Sequence, residues 1–157
     1  MMRSTRDHLG ERGNGEFEMK RITILALFAG ALILSACSAS VLELDVGTCF
    51  DDPDTFEQVE DVPIVDCDEP HDNEVIANQD LTGSDYPGQD QIENRASQIC
   101  YDQFSDYVGI SYEESMYDIG WLYPTDETWA AGDREVICFG YDLTLAKITG
   151  SINGIGQ

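Results

Sequence analysis

Cys37 carries the clearest chemistry in this sequence. It closes Leu34-Ser35-Ala36-Cys37, after the basic pair Lys20-Arg21 and the 13 mostly apolar residues Ile22 to Leu34. Basic, apolar, small, then cysteine is the order of a bacterial lipoprotein export signal. In such a signal the chain is cut before the cysteine and the thiol takes a diacylglycerol with palmitate-type chains. The apolar run is shorter than the roughly 20 residues that span a bilayer, which favours a cleaved signal over an uncleaved anchor or a core helix. Two acyl chains anchor stably where one binds only marginally, at about 0.8 kcal/mol per buried methylene. The expected partner is therefore the membrane, through Cys37, with the downstream chain outside the cytoplasm.

Four cysteines follow: Cys49, Cys67, Cys100 and Cys138. An even number in an exported domain reads as two disulfides. Of the three connectivities, Cys49–Cys67 and Cys100–Cys138 are the expected pairs. The first flanks an acidic connection between two short strand candidates. The second staples a helix to a later strand. The rival is a zinc site with Cys67-x-x-x-His71 as one half, disfavoured by an oxidising exterior and a single histidine after the signal.

That histidine, His71, would need a Ser or Cys beside it and a carboxylate behind it for nucleophilic catalysis. No Gly-x-Ser-x-Gly elbow is present, and the thiols belong to disulfides. His71 reads instead as a turn residue whose imidazole bonds to backbone or to Asp72. Asp51, Asp52, Asp54 and Glu57 offer oxygens to Ca²⁺, but the EF-hand glycine and terminal Glu are missing. Glycan hydrolysis needs two carboxylates about 5–10 Å apart, a spacing that so acidic a chain meets by chance. Trp121, Tyr123 and Trp129 are candidates for sugar stacking, and more simply for core, with Arg134 stacking on an aromatic or pairing with an acid. No enzyme, cofactor or metal is expected from these residues.

Charge narrows the partners. After Cys37 there are three basic residues (Arg95, Arg134, Lys147) against 27 acidic ones, the 31 of the chain less Asp7, Glu11, Glu16 and Glu18, a net charge of −24. Nucleic acid is excluded, since no basic stripe neutralises phosphates. An envelope protein or a cell-wall glycan remains compatible.

The elements that must position these residues read as follows. Residues 1–18 are polar and mixed in charge, and are expected to be non-structural or upstream of a start at Met19. Residues 19–36 are the signal and 37–45 a lipidated tether. Strands are expected at Val46–Phe50, Val62–Cys67 and Glu74–Asn78, the third pairing back onto the second. A helix is expected from Asp90 to Tyr107, because Ile92, Ala96, Ile99, Cys100 and Phe104 recur every three or four residues. Asp90 fits its N-cap and Gly109 its stop. Strands at Tyr117–Tyr123 and Arg134–Tyr141 flank a turn capped by Thr125. Leu145–Ile148 would add a short edge, and residues 151–157 would form a flexible tail. Strands on both sides of one helix indicate α+β: a small, mainly antiparallel sheet with one principal helix packed on one face and two disulfides.

The ordered set Gly47-x-Cys49-Phe50, Val65-x-Cys67-x-x-Pro70-His71-x-x-Glu74-Val75, Tyr86-Pro87-Gly88, Cys100, Pro124, Trp129-x-x-Gly132-x-Arg134 and Cys138 resembles the septum formation family of actinobacterial membrane and secreted proteins. The resemblance covers about Val46 to Gly154. It implies a role near the division septum or envelope, and it brings no established catalytic residues. Together these features describe a lipid-anchored, extracytoplasmic, non-catalytic interaction module. A glycan-binding module or a carbohydrate-active enzyme is the alternative.

A net charge this large repels itself, and salt screens it. The melting temperature should rise with added NaCl, measured by circular dichroism. A flat or falling response between low and moderate salt would contradict a charge-strained fold.

Overall fold

The structure, a computed structural model, describes residues 42–53, 59 and 61–157. The segment expected to be an export signal, Cys37, Asp54 and Glu57 lie outside the described residues.

Helix α1 (Gln89–Val108) forms where the apolar spacing places it. Ile92, Ala96, Cys100, Phe104 and Val108 make one fully buried stripe. Gly109 ends the helix in the left-handed region, φ 85°, with its amide bonded to the Ser105 carbonyl. This is a conformation glycine adopts without steric cost. Asp90 is not the N-cap: Gly88 holds that position without a side-chain bond, and Asp90 lies in the first turn. A carboxylate there still faces the positive end of the helix dipole.

Five antiparallel strands form the sheet: β1 (Cys49–Phe50), β2 (Ile64–Val65), β3 (Asn73–Asp80), β4 (Tyr117–Leu122) and β5 (Glu135–Asp142). Their order is β2-β1-β3-β5-β4. The sequence suggests that the third strand pairs back onto the second; it does not, because β1 lies between them. Phe50 is fully buried and its strand pairs on both sides, whereas Ile64 is exposed and belongs at an edge. Val46 and Gly47 form a turn rather than the start of β1, with the Thr48 amide on the Asp45 carbonyl at 3.0 Å. The expected edge at Leu145–Ile148 reduces to one bridge, Ile148 with His71.

The sheet has a core on each face. Toward α1 lie Ile76, Ala96, Cys100, Phe104, Val136, Cys138 and Ile152. Toward the other side lie Phe50, Val75, Ile137 and Phe139, covered by Leu44 and Val62. Leu44 therefore belongs to the domain and not to a free tether: it is buried, and its carbonyl accepts from the Asn78 amide. An irregularity between Val75 and Ala77 lets the consecutive residues Ile76 and Ala77 both join the helix-side core.

Both expected disulfides are present. Cys49–Cys67 ties β1 to the segment after β2, and Cys100–Cys138 ties α1 to β5. Sequence separations of 18 and 38 correspond to about 3–4 kcal/mol each in the chain-entropy account.

The tail is not loose. Ile152 is fully buried. Its socket is the missing side chain of Gly140, where an added Cβ would lie 2.6 Å from the Ile152 Cδ1. The amides of Gly154 and Gly156 donate to the carbonyls of Tyr107 and Val108, at 2.8 and 2.9 Å, closing the end of α1. Glycine content suggested freedom, but these hydrogen bonds and one apolar anchor hold the strap in place. Ile152→Ala should cost about 2–4 kcal/mol in urea unfolding. A change below about 0.5 kcal/mol, the usual effect of a surface substitution, would mean that the tail is not packed.

Candidate functional site

The most concentrated polar chemistry lies between β3, the end of α1 and the C-terminal strap. Glu74 is fully buried in β3. Its Oε1 accepts from the Tyr107 hydroxyl and the Ser151 hydroxyl, both at 2.6 Å, and its Oε2 accepts from the Ile152 amide at 2.7 Å. A buried carboxylate is costly unless its oxygens are satisfied, and here three donors from two other elements converge on it. Burial and the Glu74 carboxylate push the Tyr107 hydroxyl up to about 12.

His71 is equally buried. Its Nδ1 lies 2.8 Å from the Glu69 carbonyl, a geometry in which Nδ1 carries the hydrogen and donates. The imidazole thus shapes the turn after Cys67, as the sequence suggests. Nε2 is buried and has no hydrogen-bond partner among the described residues. The backbone of His71 also pairs in both directions with Ile148.

Among the described residues one group brings metal-ligating types together: Cys49, His71 and Glu74 offer atoms within 4.8 Å of one another. Metals bind thiolate, and Cys49 sulfur is bonded to Cys67, the residue on which the zinc alternative rested. Both Glu74 oxygens already hold donors. The trio is a joint of the fold, sealed from solvent.

Of the calcium candidates, Asp51 and Asp52 are described. Asp51 pairs with Lys147 at 2.5 Å, and Asp72 joins the same ammonium at 3.1 Å. Lys147 holds the Asp51 carboxyl below its usual range, and the Lys147 ammonium is raised in return. Asp52 accepts from the Asn73 side chain at 2.8 Å. Lys147 is exposed and its two acidic partners are partly exposed, a setting in which ion pairs contribute little.

The tryptophans separate. Trp129 is buried in α2 (Asp126–Ala131), whose N-terminus is closed by reciprocal bonds between Thr125 and Thr128. Arg134 stacks on Trp129 at 3.7 Å from the ring centroid and donates to the carbonyls of Gly83 and Trp129. Trp129 Nε1 donates to the Ser84 carbonyl at 3.1 Å. Trp129 and Arg134 thus lock α2 against the loop after β3 and offer no sugar platform. Trp121 differs. It is half-buried on β4 and lines an open groove with Ser97, Gln98, Tyr101, Tyr112 and Asp118. Sequence reading grouped the two tryptophans and missed both this groove and the Glu74 cluster. The signal for the cluster was present: an acid opening the apolar run Glu74-Val75-Ile76-Ala77 demands buried donors.

Glu74→Gln keeps an oxygen for the Ile152 amide and can donate to the two hydroxyls, so it should cost only about 1 kcal/mol, whereas Glu74→Ala orphans three donors and should cost at least about 3 kcal/mol in denaturant unfolding. Equal costs would contradict the three-donor account. Tyr107 has its folded-state value above the ordinary 10. Its contribution is therefore intact below pH 10 and is lost as pH rises toward about 12. Tyr107→Phe should flatten the stability profile in that window.

No helix of the described residues is long and apolar enough to cross a membrane. No curated protein and no solved structure matches the chain. The family described as septum formation matches residues 40–152, a span that contains both disulfides, the Glu74 joint and the groove. The chain belongs to the septum formation family.

Proposed function

We propose that this chain is a lipid-anchored, extracytoplasmic, non-catalytic module that engages a partner in the cell envelope at the division site. Family membership supports a division- or envelope-associated role outside the cytoplasm. The two disulfides fit an oxidising compartment. The Cys37 signal supplies the anchor, and a domain of net charge −24 is repelled by anionic headgroups, so a covalent lipid is the means of holding it there.

The observation that carries the non-catalytic reading is the burial of His71 and Glu74. The histidine and carboxylate most suited to acid–base work touch only protein, and general acid–base catalysis needs a group within reach of substrate. The acidic residues on the surface serve solubility and partner choice.

The test is in cells. Wild-type protein should incorporate a labelled fatty acid, fractionate with membranes and concentrate at septa, and photo-crosslinking should capture a reproducible envelope partner. Cys37→Ser should lose the label and the membrane association together. Membrane retention of an unlabelled Cys37→Ser protein would refute the lipid anchor, and uniform distribution with no captured partner would refute the septal module.

A further inference from the structure

We propose that the groove between α1 and the edge strand β4 binds a neutral glycan strand, with Trp121 as its stacking platform. This rests on the extracytoplasmic reading above, and it supplies the ligand class for the module.

The groove is open to solvent and has a volume of about 490 Å³, within the range of small-ligand sites. One wall is α1, through Ser97, Gln98 and Tyr101. The other is β4, through Asp118, Ile119 and Trp121, and Tyr112 also lines the groove. Tyr101 is 43% exposed, and it meets Tyr112 edge-to-face at 5.5 Å. Aromatic faces beside amide, hydroxyl and carboxylate groups suit a ligand with apolar C–H faces and a hydroxyl rim, which is the surface of a sugar ring.

The polar groups are held in place. Asp118 accepts from the hydroxyls of Tyr112 and Tyr141, at 2.5 and 3.2 Å. Its pull, with burial, raises the Tyr112 hydroxyl to about 12. Gln98 donates to Asp102 at 2.8 Å, which orients its amide. Pre-set donors and acceptors lower the ordering cost of binding.

Charge selects the class. No Lys or Arg lines the groove, so an anionic polymer finds no counter-charge. An extended peptide could instead add to the free edge of β4, but that edge is already blunted. The Leu143 amide donates to the Met116 carbonyl, so in the antiparallel alternation residues 117, 119 and 121 turn their amides outward. Ser115 Oγ accepts from the Tyr117 amide at 3.0 Å, and Asp118 accepts from the Ile119 amide at 2.8 Å. Two of the three outward amides on which strand addition depends are thereby closed.

Chitotetraose, a neutral linear oligosaccharide, is the probe, titrated into the purified full chain and read by calorimetry and tryptophan emission. Trp121 and Trp129 are the only tryptophans, and Trp129 is buried, so the emission change reports Trp121. Saturable binding should weaken at least about tenfold, or 1.4 kcal/mol, in Trp121→Ala and in Tyr101→Ala, while Leu145→Ser on another surface binds like wild type. Tyr101 is exposed, so its variant tests the groove even if Trp121→Ala unfolds. No binding up to millimolar sugar, or binding indifferent to both groove variants, overturns the proposal. So does capture of a decalysine peptide in a Trp121-dependent way without sugar binding. Any of these results would leave fatty-acid labelling and septal crosslinking unchanged, so failure of the groove is distinguishable from failure of the module.

Discussion

A buried carboxylate holds this small domain together. Glu74 can remain inside only because Tyr107, Ser151 and Ile152 bring it three donors. Those donors come from the end of α1 and from the C-terminal strap, so satisfying one acid fixes the position of two elements against β3. The strap in turn seats Ile152 over Gly140 and caps the last turn of α1. Removing any one part leaves the others with unmet polar groups or an empty socket.

The two disulfides act on the same framework from different sides. Cys49–Cys67 secures the shortest strands, which pair over only two residues each. Cys100–Cys138 crosses the helix-side core, where α1 lies on the sheet. A chain this acidic gains from such covalent closure, because self-repulsion acts against compactness. Both oxygens of Glu74 are committed to the fold, and the less enclosed polar groups lie at the surface. There the groove beside β4 combines aromatic faces with oriented polar groups on two rigid elements.

Much of the architecture was legible in the sequence because its signals are local. The four-residue repeat from Ile92 to Phe104 specified α1, Gly109 specified its end, and Thr125 specified the start of α2. Cysteine count and compartment indicated two disulfides, and the placement of the cysteines on neighbouring strand candidates and on the helix indicated the pairing. Strand order was not legible, because pairing β3 with β1 and not β2 depends on burial of Phe50, a long-range outcome. The docking of Leu44 and the strap was missed for the same reason. Each is an isolated apolar residue in a polar or glycine-rich stretch, with no periodicity to announce it.

The sequence by itself determined the chemistry available: a cysteine in an export-type motif, four further thiols, a single histidine after that motif, a large negative charge and two tryptophans. Residue types carry those properties wherever the chain goes. Only the tertiary structure decided how they are used. Three donors remote in the chain meet on Glu74, His71 is sealed beside a disulfide, Trp129 is covered by Arg134, and Trp121 is left facing a groove. The physical reason is that burial and hydrogen-bond satisfaction depend on contacts between residues far apart in the chain, and those contacts exist only once the sheet, the helix and the strap have closed on one another.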